Sequence, residues 1–269
     1  MPALAQNTIK SHRPTILALC SFAARSKTLQ MKRALADAAV ALPRLKEGRV
    51  EDYPFVLVES ISPLLTSHAS SEKPLIVGKI RNLRLACKQL HSRALAGDEV
   101  FSFWRQVGPP WRLRGFVTGR EVRAGCIIPT TGGGLCQLSG SLFELAVALG
   151  FELTERHSHT TLPPDVLHDP RRDATVFWNY VDLRFRASFS VFIESYVTED
   201  NLIVRLRGMK PHAVLPLRNQ LVQLTQINRQ AQAESCFTCS EVGCIRHQPA
   251  ERMPQKETCG AREDVRNSR

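Results

Sequence analysis

Apolar residues are distributed along this chain in three distinct ways. From 135 to 149 they are almost continuous and stop at Gly150, the pattern of a buried helix. Short runs at 151–155, 175–178, 182–185, 189–197 and 201–207 follow, and several alternate apolar with polar residues, as antiparallel strands with one covered face do. Upstream, Ile80, Leu83, Leu85, Ala86 and Leu90 approximate one face of a helix that Gly97 ends, and 100–104 (VFSFW) reads as a strand. The first 75 residues are less regular: 29–47 predicts a helix bent or ended by Pro43, 53–60 a short strand, and 66–74 a polar linker. The pattern predicts an α+β fold, with helices packed on a mainly antiparallel sheet and a Cys-rich appendage at the C-terminus. Three regions follow: a leader over 1–75, a central domain over 76–212, and a helix (217–234) plus Cys-rich tail over 213–269.

Composition narrows the class. Apolar residues are 43% and charged residues 23% of the 269, as expected of a soluble globular protein. The net charge of +11, from 36 Lys+Arg against 25 Asp+Glu, favours anionic partners: a membrane surface, nucleic acid or an acidic cell-wall polymer. No basic run is interleaved with aromatics, so a nucleic-acid site is not indicated. No apolar run approaches the roughly 20 residues of a transmembrane segment. The stretch 15–24 has the length of a signal-peptide core, but Arg25 and Lys27 stand where a small, uncharged cleavage region belongs. Leu19 is too bulky to precede a lipid-modified Cys20. The expected location is cytoplasmic or membrane-peripheral.

The most informative segment is Thr131-Gly132-Gly133-Gly134-Leu135-Cys136-Gln137-Leu138-Ser139. Three glycines let the backbone take positive φ and approach another group closely. They lead straight into a helix, whose first amides are unpaired and suit an anion or an oxyanion. Cys136 falls in the first turn, where the helix terminus favours the thiolate. Gln137 and Ser139 are further donor candidates. No Lys-Ser/Thr pair follows the glycines, which argues against a phosphate loop. The blander alternative is a tight-packing turn with Cys136 as a small core residue.

A thiol nucleophile needs a base, and the base an orienting group. Downstream lie Arg156-His157-Ser158-His159 and then Asp173. In an extended chain His157 and His159 share a side. The order Cys on a helix start, His near a strand, Asp before the next strand follows the logic of papain-like and transglutaminase-like thiol enzymes. His159 is the preferred base, His157 the second choice, and Asp173 the orienting acid. Two alternatives stay open: the two histidines with Cys136 bind a metal, or they are surface residues and Asp173 caps a turn.

The tail carries Cys236, Cys239, Cys244 and His247 in the order C-x2-C-x4-C-x2-H, with Cys259 beyond. Thiolates clustered in a reduced protein indicate metal rather than disulfides. Zinc suits four such ligands, an iron–sulfur cluster is the alternative with Cys259 or His247 as fourth ligand, and free or redox thiols are the metal-free reading.

Phe101-Ser102-Phe103, Gly108, Arg114-Gly115-Phe116, the 132–139 turn, Arg156 with His159, Asp173-Ala174-Thr175-Val176 and Asp182-Leu183-Arg184-Phe185 together resemble the VanW domain, over roughly 76–210. The resemblance implies a link to the cell envelope, peptidoglycan metabolism or glycopeptide resistance, without supplying a reaction. Two functions are expected from it and the residues together. One is a Cys-dependent hydrolase or acyl transferase in which Gly132, Gly133, Gly134, Gln137, Ser139 and Arg156 bind the substrate. The other is a non-catalytic accessory or metal-binding protein that holds an anionic cell-envelope precursor, a peptidoglycan fragment or a partner.

Overall fold

The computed structural model describes residues 16–40, 42–65, 73–123, 126–159, 172–178 and 180–214. They form an α+β body built around mainly antiparallel sheet, as the patterning predicts. Helix α1 spans Ile16–Val40, earlier at both ends than expected. It stops ahead of Pro43, which has no N–H to give and disfavours helical geometry in the residue before it. The short strand β1 (Lys46–Glu47) and the long β2 (Phe55–Pro63) follow. Helix α2 (Lys73–Leu90) leads to β3 (Arg93–Leu95) and β4 (Val100–Ser102).

The run expected to continue as a strand to Trp104 instead turns into a short helix, α3 (Phe103–Val107). Ser102 caps it by accepting the Arg105 amide, and the Asp182 carboxylate accepts the Trp104 amide at 3.1 Å. The local cap and the long-range bond to Asp182 together outweigh the strand preference of the aromatics. Next comes a hairpin absent from the sequence reading, β5 (Thr118–Arg123) paired with β6 (Cys126–Thr131). Its inward face includes the buried Arg120, a charged residue that hides the alternation from a hydrophobicity pattern.

Helix α4 (Cys136–Ala148) is followed by β7 (Glu152–Glu155), β8 (Arg184–Arg186), β9 (Val191–Val197) and β10 (Asn201–Gly208). The main sheet runs β1-β3-β9-β10-β2, and a second runs β4-β8-β7. Strand β2 lies in the stretch read as a leader, yet it pairs with β10 along its whole length, Asn201 opposite Pro63 through Gly208 opposite Phe55. Leu202, Val204 and Leu206 of β10 are buried, while Arg205 and Arg207 on its other side pair with Glu59 and Glu194. The expected strand at 175–178 is reduced to a single bridge between Phe177 and Val181.

The core joins both sheets to α2 and α4. Phe185 stacks on Phe101 at 4.7 Å and on Phe151 at 5.9 Å, tying β8 to β4 and to the end of α4. Asp182, 1% exposed, accepts bonds from Ser102 Oγ, the Trp104 and Leu183 amides and Arg184 Nε, so its buried charge is fully coordinated.

Candidate active site

Backbone geometry accounts for the three glycines. Gly132 and Gly134 have φ of +81° and +101°, a region that side chains disfavour. A Cβ on Gly133 would come within 2.4 Å of the Gly119 carbonyl oxygen, so the turn after β6 lies directly against β5. Asn82 of α2 holds the arrangement. Its Nδ2 donates to the Gly133 and Val117 carbonyls at 3.0 and 2.9 Å, and its Oδ1 accepts the Val117 amide at 2.9 Å.

The turn delivers Cys136 as the first residue of α4. The Gly133 amide bonds the Thr130 carbonyl, and the Gln137 amide bonds that of Gly134. The Gly134, Leu135 and Cys136 amides bond no backbone carbonyl among the described residues. The amides suited to an oxyanion are therefore those of residues 134–136.

The segment that carries Asp173 lies against α4 because small residues on that helix let its backbone approach. A Cβ on Gly140 would lie 2.0 Å from the Arg172 carbonyl oxygen, and Ser139 Oγ donates to the Ala174 carbonyl at 2.6 Å. Arg172 pairs with Glu144 of α4 at 2.8 Å, and the Thr175 amide bonds the His157 carbonyl at 2.8 Å. Arg156 donates through Nε to the Asp173 carbonyl at 2.8 Å while its guanidinium lies over the Phe143 ring.

Around that frame the three residues expected to form a triad come together. The His159 ring bonds Asp173 through Nδ1 and also interacts with the Cys136 side chain. Burial of the imidazole works against its protonation. The hydrogen bond to Asp173, the bond to Cys136 and the negative charges of both outweigh that cost and bring its pKa up to about 10. The sulfur also lies 3.4 Å from Thr175 Oγ1 and 3.7 Å from the Val176 carbonyl. Cys136 is half-buried, whereas Cys87 is buried on α2 and its thiol is pushed up to about 12 by desolvation.

A cleft opens over Cys136, walled by Trp104, Pro110, Glu121, Gly132–Gly134, Val176 and Trp178. Its cavity volume is about 80 Å³, room for a small group beside the sulfur. Trp104 is held by its indole N–H on the Val181 carbonyl at 2.8 Å and packs edge-to-face on Trp178 at 5.3 Å.

The other sequence candidates have different surroundings. His157 is exposed and bonds Glu155. Gln137 Nε2 donates to Ser62 Oγ and the Pro63 carbonyl, joining α4 to β2, and Ser139 is fully buried against Ala174. Arg156 braces Asp173. Among the described residues no three His, Cys, Asp or Glu side chains converge as metal ligands. Cys236, Cys239, Cys244, His247 and Cys259, and the expected helix at 217–234, lie outside the described residues. Among the described residues no helix is long and apolar enough to cross a membrane. Sequence reasoning missed Thr175, Trp104, Trp178 and Glu121. Only Thr175 carried a signal, standing two residues after Asp173 in the same short motif.

Comparison with known proteins finds a family match within this body. Residues 78–207 match the family model described as VanW like protein. The chain is 30% identical over 135 residues to the uncharacterized protein YoaR of Bacillus subtilis (strain 168), covering 50% of this chain and 43% of that protein. It is 27% identical over 176 residues to the vancomycin B-type resistance protein VanW of Enterococcus faecalis (strain ATCC 700802 / V583), covering 63% of this chain and 64% of that protein. The chain therefore spans less than two thirds of either relative. No solved structure matches it significantly. The glycine turn, Cys136, His159 and Asp173 all fall within the matched segment, and residues 78–207 form a VanW-like domain.

Proposed function

We propose that this protein is a thiol-dependent hydrolase or acyl transferase acting on an amide of a cell-envelope precursor or peptidoglycan fragment. The observation that carries the reading is His159, half-buried between a half-exposed thiol and a carboxylate that bonds its Nδ1 at 2.6 Å. The envelope assignment draws on the relative named for vancomycin resistance.

In this mechanism the Cys136 sulfur attacks the acyl carbon and the carbonyl π electrons move to oxygen. The 134–136 amides receive the oxyanion. On collapse of the tetrahedral intermediate, the His159 imidazolium gives its proton to the departing amine, leaving a thioester on Cys136. Water, or a second amine in the transferase case, then attacks the thioester as the neutral imidazole takes its proton, and the thiolate leaves. Asp173 keeps Nδ1 protonated and the ring oriented throughout. Trp104, Trp178 and Val176 supply apolar walls around the reacting bond.

The test is to incubate the full chain with muropeptides and follow products and protein-bound acyl groups by mass spectrometry. Turnover, or a thioester on the Cys136 peptide, is expected, with a loss of at least about a thousandfold in Cys136→Ala and His159→Ala. Undiminished turnover in Cys136→Ala overturns the reading. So does muropeptide binding without turnover, unchanged in that variant, which instead supports the accessory role.

A further inference from the structure

Helix α2 has a second face that the cleft does not use. Its inward residues Leu75, Leu83, Ala86 and Leu90 are buried, while Lys73, Val77, Arg81, Arg84 and Lys88 form one exposed stripe at spacings of three and four. The helix contains no Asp or Glu, and the four exposed cations have no carboxylate partner among the described residues. Beside it lies the turn after α3. Arg81 and Arg112 line one groove together with Gly115–Thr118. That turn presents Trp111, 57% exposed, and Leu113, 98% exposed, on either side of the exposed Arg112. Val77, within the basic stripe, is 68% exposed.

We infer that this face docks on an anionic phospholipid bilayer, the α2 cations meeting the headgroup phosphates while Trp111 and Leu113 enter the interface. Charge complementarity makes the surface selective for anionic lipid, each basic residue near such a membrane adding a modest increment. The apolar pair separates a bilayer from an anionic polymer. A polymer offers no hydrocarbon to receive an exposed leucine, whereas indole and leucine side chains beside basic residues are what interfacial insertion uses. The turn also carries Pro110, a wall of the Cys136 cleft, so docking sets that cleft beside the headgroups. The inference does not depend on any reaction at Cys136.

The test uses the full chain and vesicles of phosphatidylcholine, with or without 30% phosphatidylglycerol (about a third anionic, enough for charge to dominate). Sedimentation should show binding to the anionic vesicles that is at least about tenfold weaker for the neutral ones and falls with added salt. Arg81→Gln with Arg84→Gln, and separately Trp111→Ser with Leu113→Ser, should each weaken binding by about tenfold with unchanged circular dichroism. Brominated lipid should quench fluorescence in the parent and not in the Trp111→Ser variant. Binding that both double variants leave unchanged overturns the inference, because another part of the chain then carries it. Equal affinity for both lipids, or competition by polyphosphate without quenching, overturns it too.

Discussion

Asp173 holds His159 twice over: Oδ1 lies 2.6 Å from Nδ1 of the ring, and the two carboxylate oxygens lie 3.1 and 3.2 Å from the His159 backbone amide. Ring and backbone are thus fixed by one buried side chain, with Cys136 as the ring's other partner. Such double anchoring removes the rotational freedom that would let the imidazole leave the sulfur.

Replacing Asp173 by Asn keeps the shape and removes the charge. The His159 pKa, about 10 in the parent, should then fall toward the usual imidazole range. A pH titration of the His159 ring by NMR checks this. Alkylation of Cys136 near neutral pH should slow by about tenfold or more in the variant, because less imidazolium remains beside the sulfur. An unchanged titration would mean that Asp173 does not control the ring.

The same shift makes stability depend on pH. His159 goes from about 6.5 in the unfolded chain to about 10 in the folded one, so folding favours its protonated form. The stabilisation is complete below pH 6.5, declines as pH rises, and is gone above pH 10. Urea denaturation of parent and His159→Gln at pH 6, 8 and 10 should show the difference between them shrinking across that range. A constant difference contradicts the assignment.

Gly140→Ala would place a methyl group 2.0 Å from the Arg172 carbonyl oxygen, a backbone atom that cannot swing aside. The variant should fold with a loss of about 1–3 kcal/mol, typical of overpacking. It should also push Asp173 away from α4, so the His159 pKa falls without any change to the triad residues. Denaturation and the same NMR titration measure the two effects separately.

Asn82→Ala removes a fully buried side chain and leaves the Val117 amide and the Gly133 carbonyl without that partner. A loss of roughly 3 kcal/mol is expected, along with faster amide hydrogen exchange in 117–119 and 132–134. Protection unchanged in those segments would show that the glycine turn is held without Asn82.

Arg33 pins α1 to the body through Glu155, with Asp37 and Asp182 nearby, and Arg184 reaches Asp37 at 2.6 Å. Burial raises the Glu155 carboxyl, but its bonds to His157 and Arg33 and the Arg33 charge outweigh that and bring it down to about 2. Its stabilisation is present above pH 4.5 and lost as pH falls through about 2. Arg33→Ala should cost about 2 kcal/mol and release α1 to proteolysis ahead of the β-sheet. Limited digestion with mass analysis tests it.

Local chemistry was enough to place the buried helix that opens at Cys136, the glycine turn before it and the alternating strands β9 and β10, because periodicity and glycine are properties of neighbouring residues. The order Cys136, His159, Asp173 could be read in the same way. The sequence could not show that β2 closes the sheet beside β10, since pairing partners some 140 residues apart leave no mark in either segment. It also left Gln137, Ser139 and Arg156 looking like ligands, although packing turns all three into braces. Trp104 and Trp178 are distant in the chain and meet over the sulfur only because the Asp182 cluster turns the backbone at 102 into α3. Polar side chains carry the same donors and acceptors whether they hold a substrate or a neighbouring strand. Only the tertiary arrangement decides which, because burial and the nearest partner determine where each bond is made.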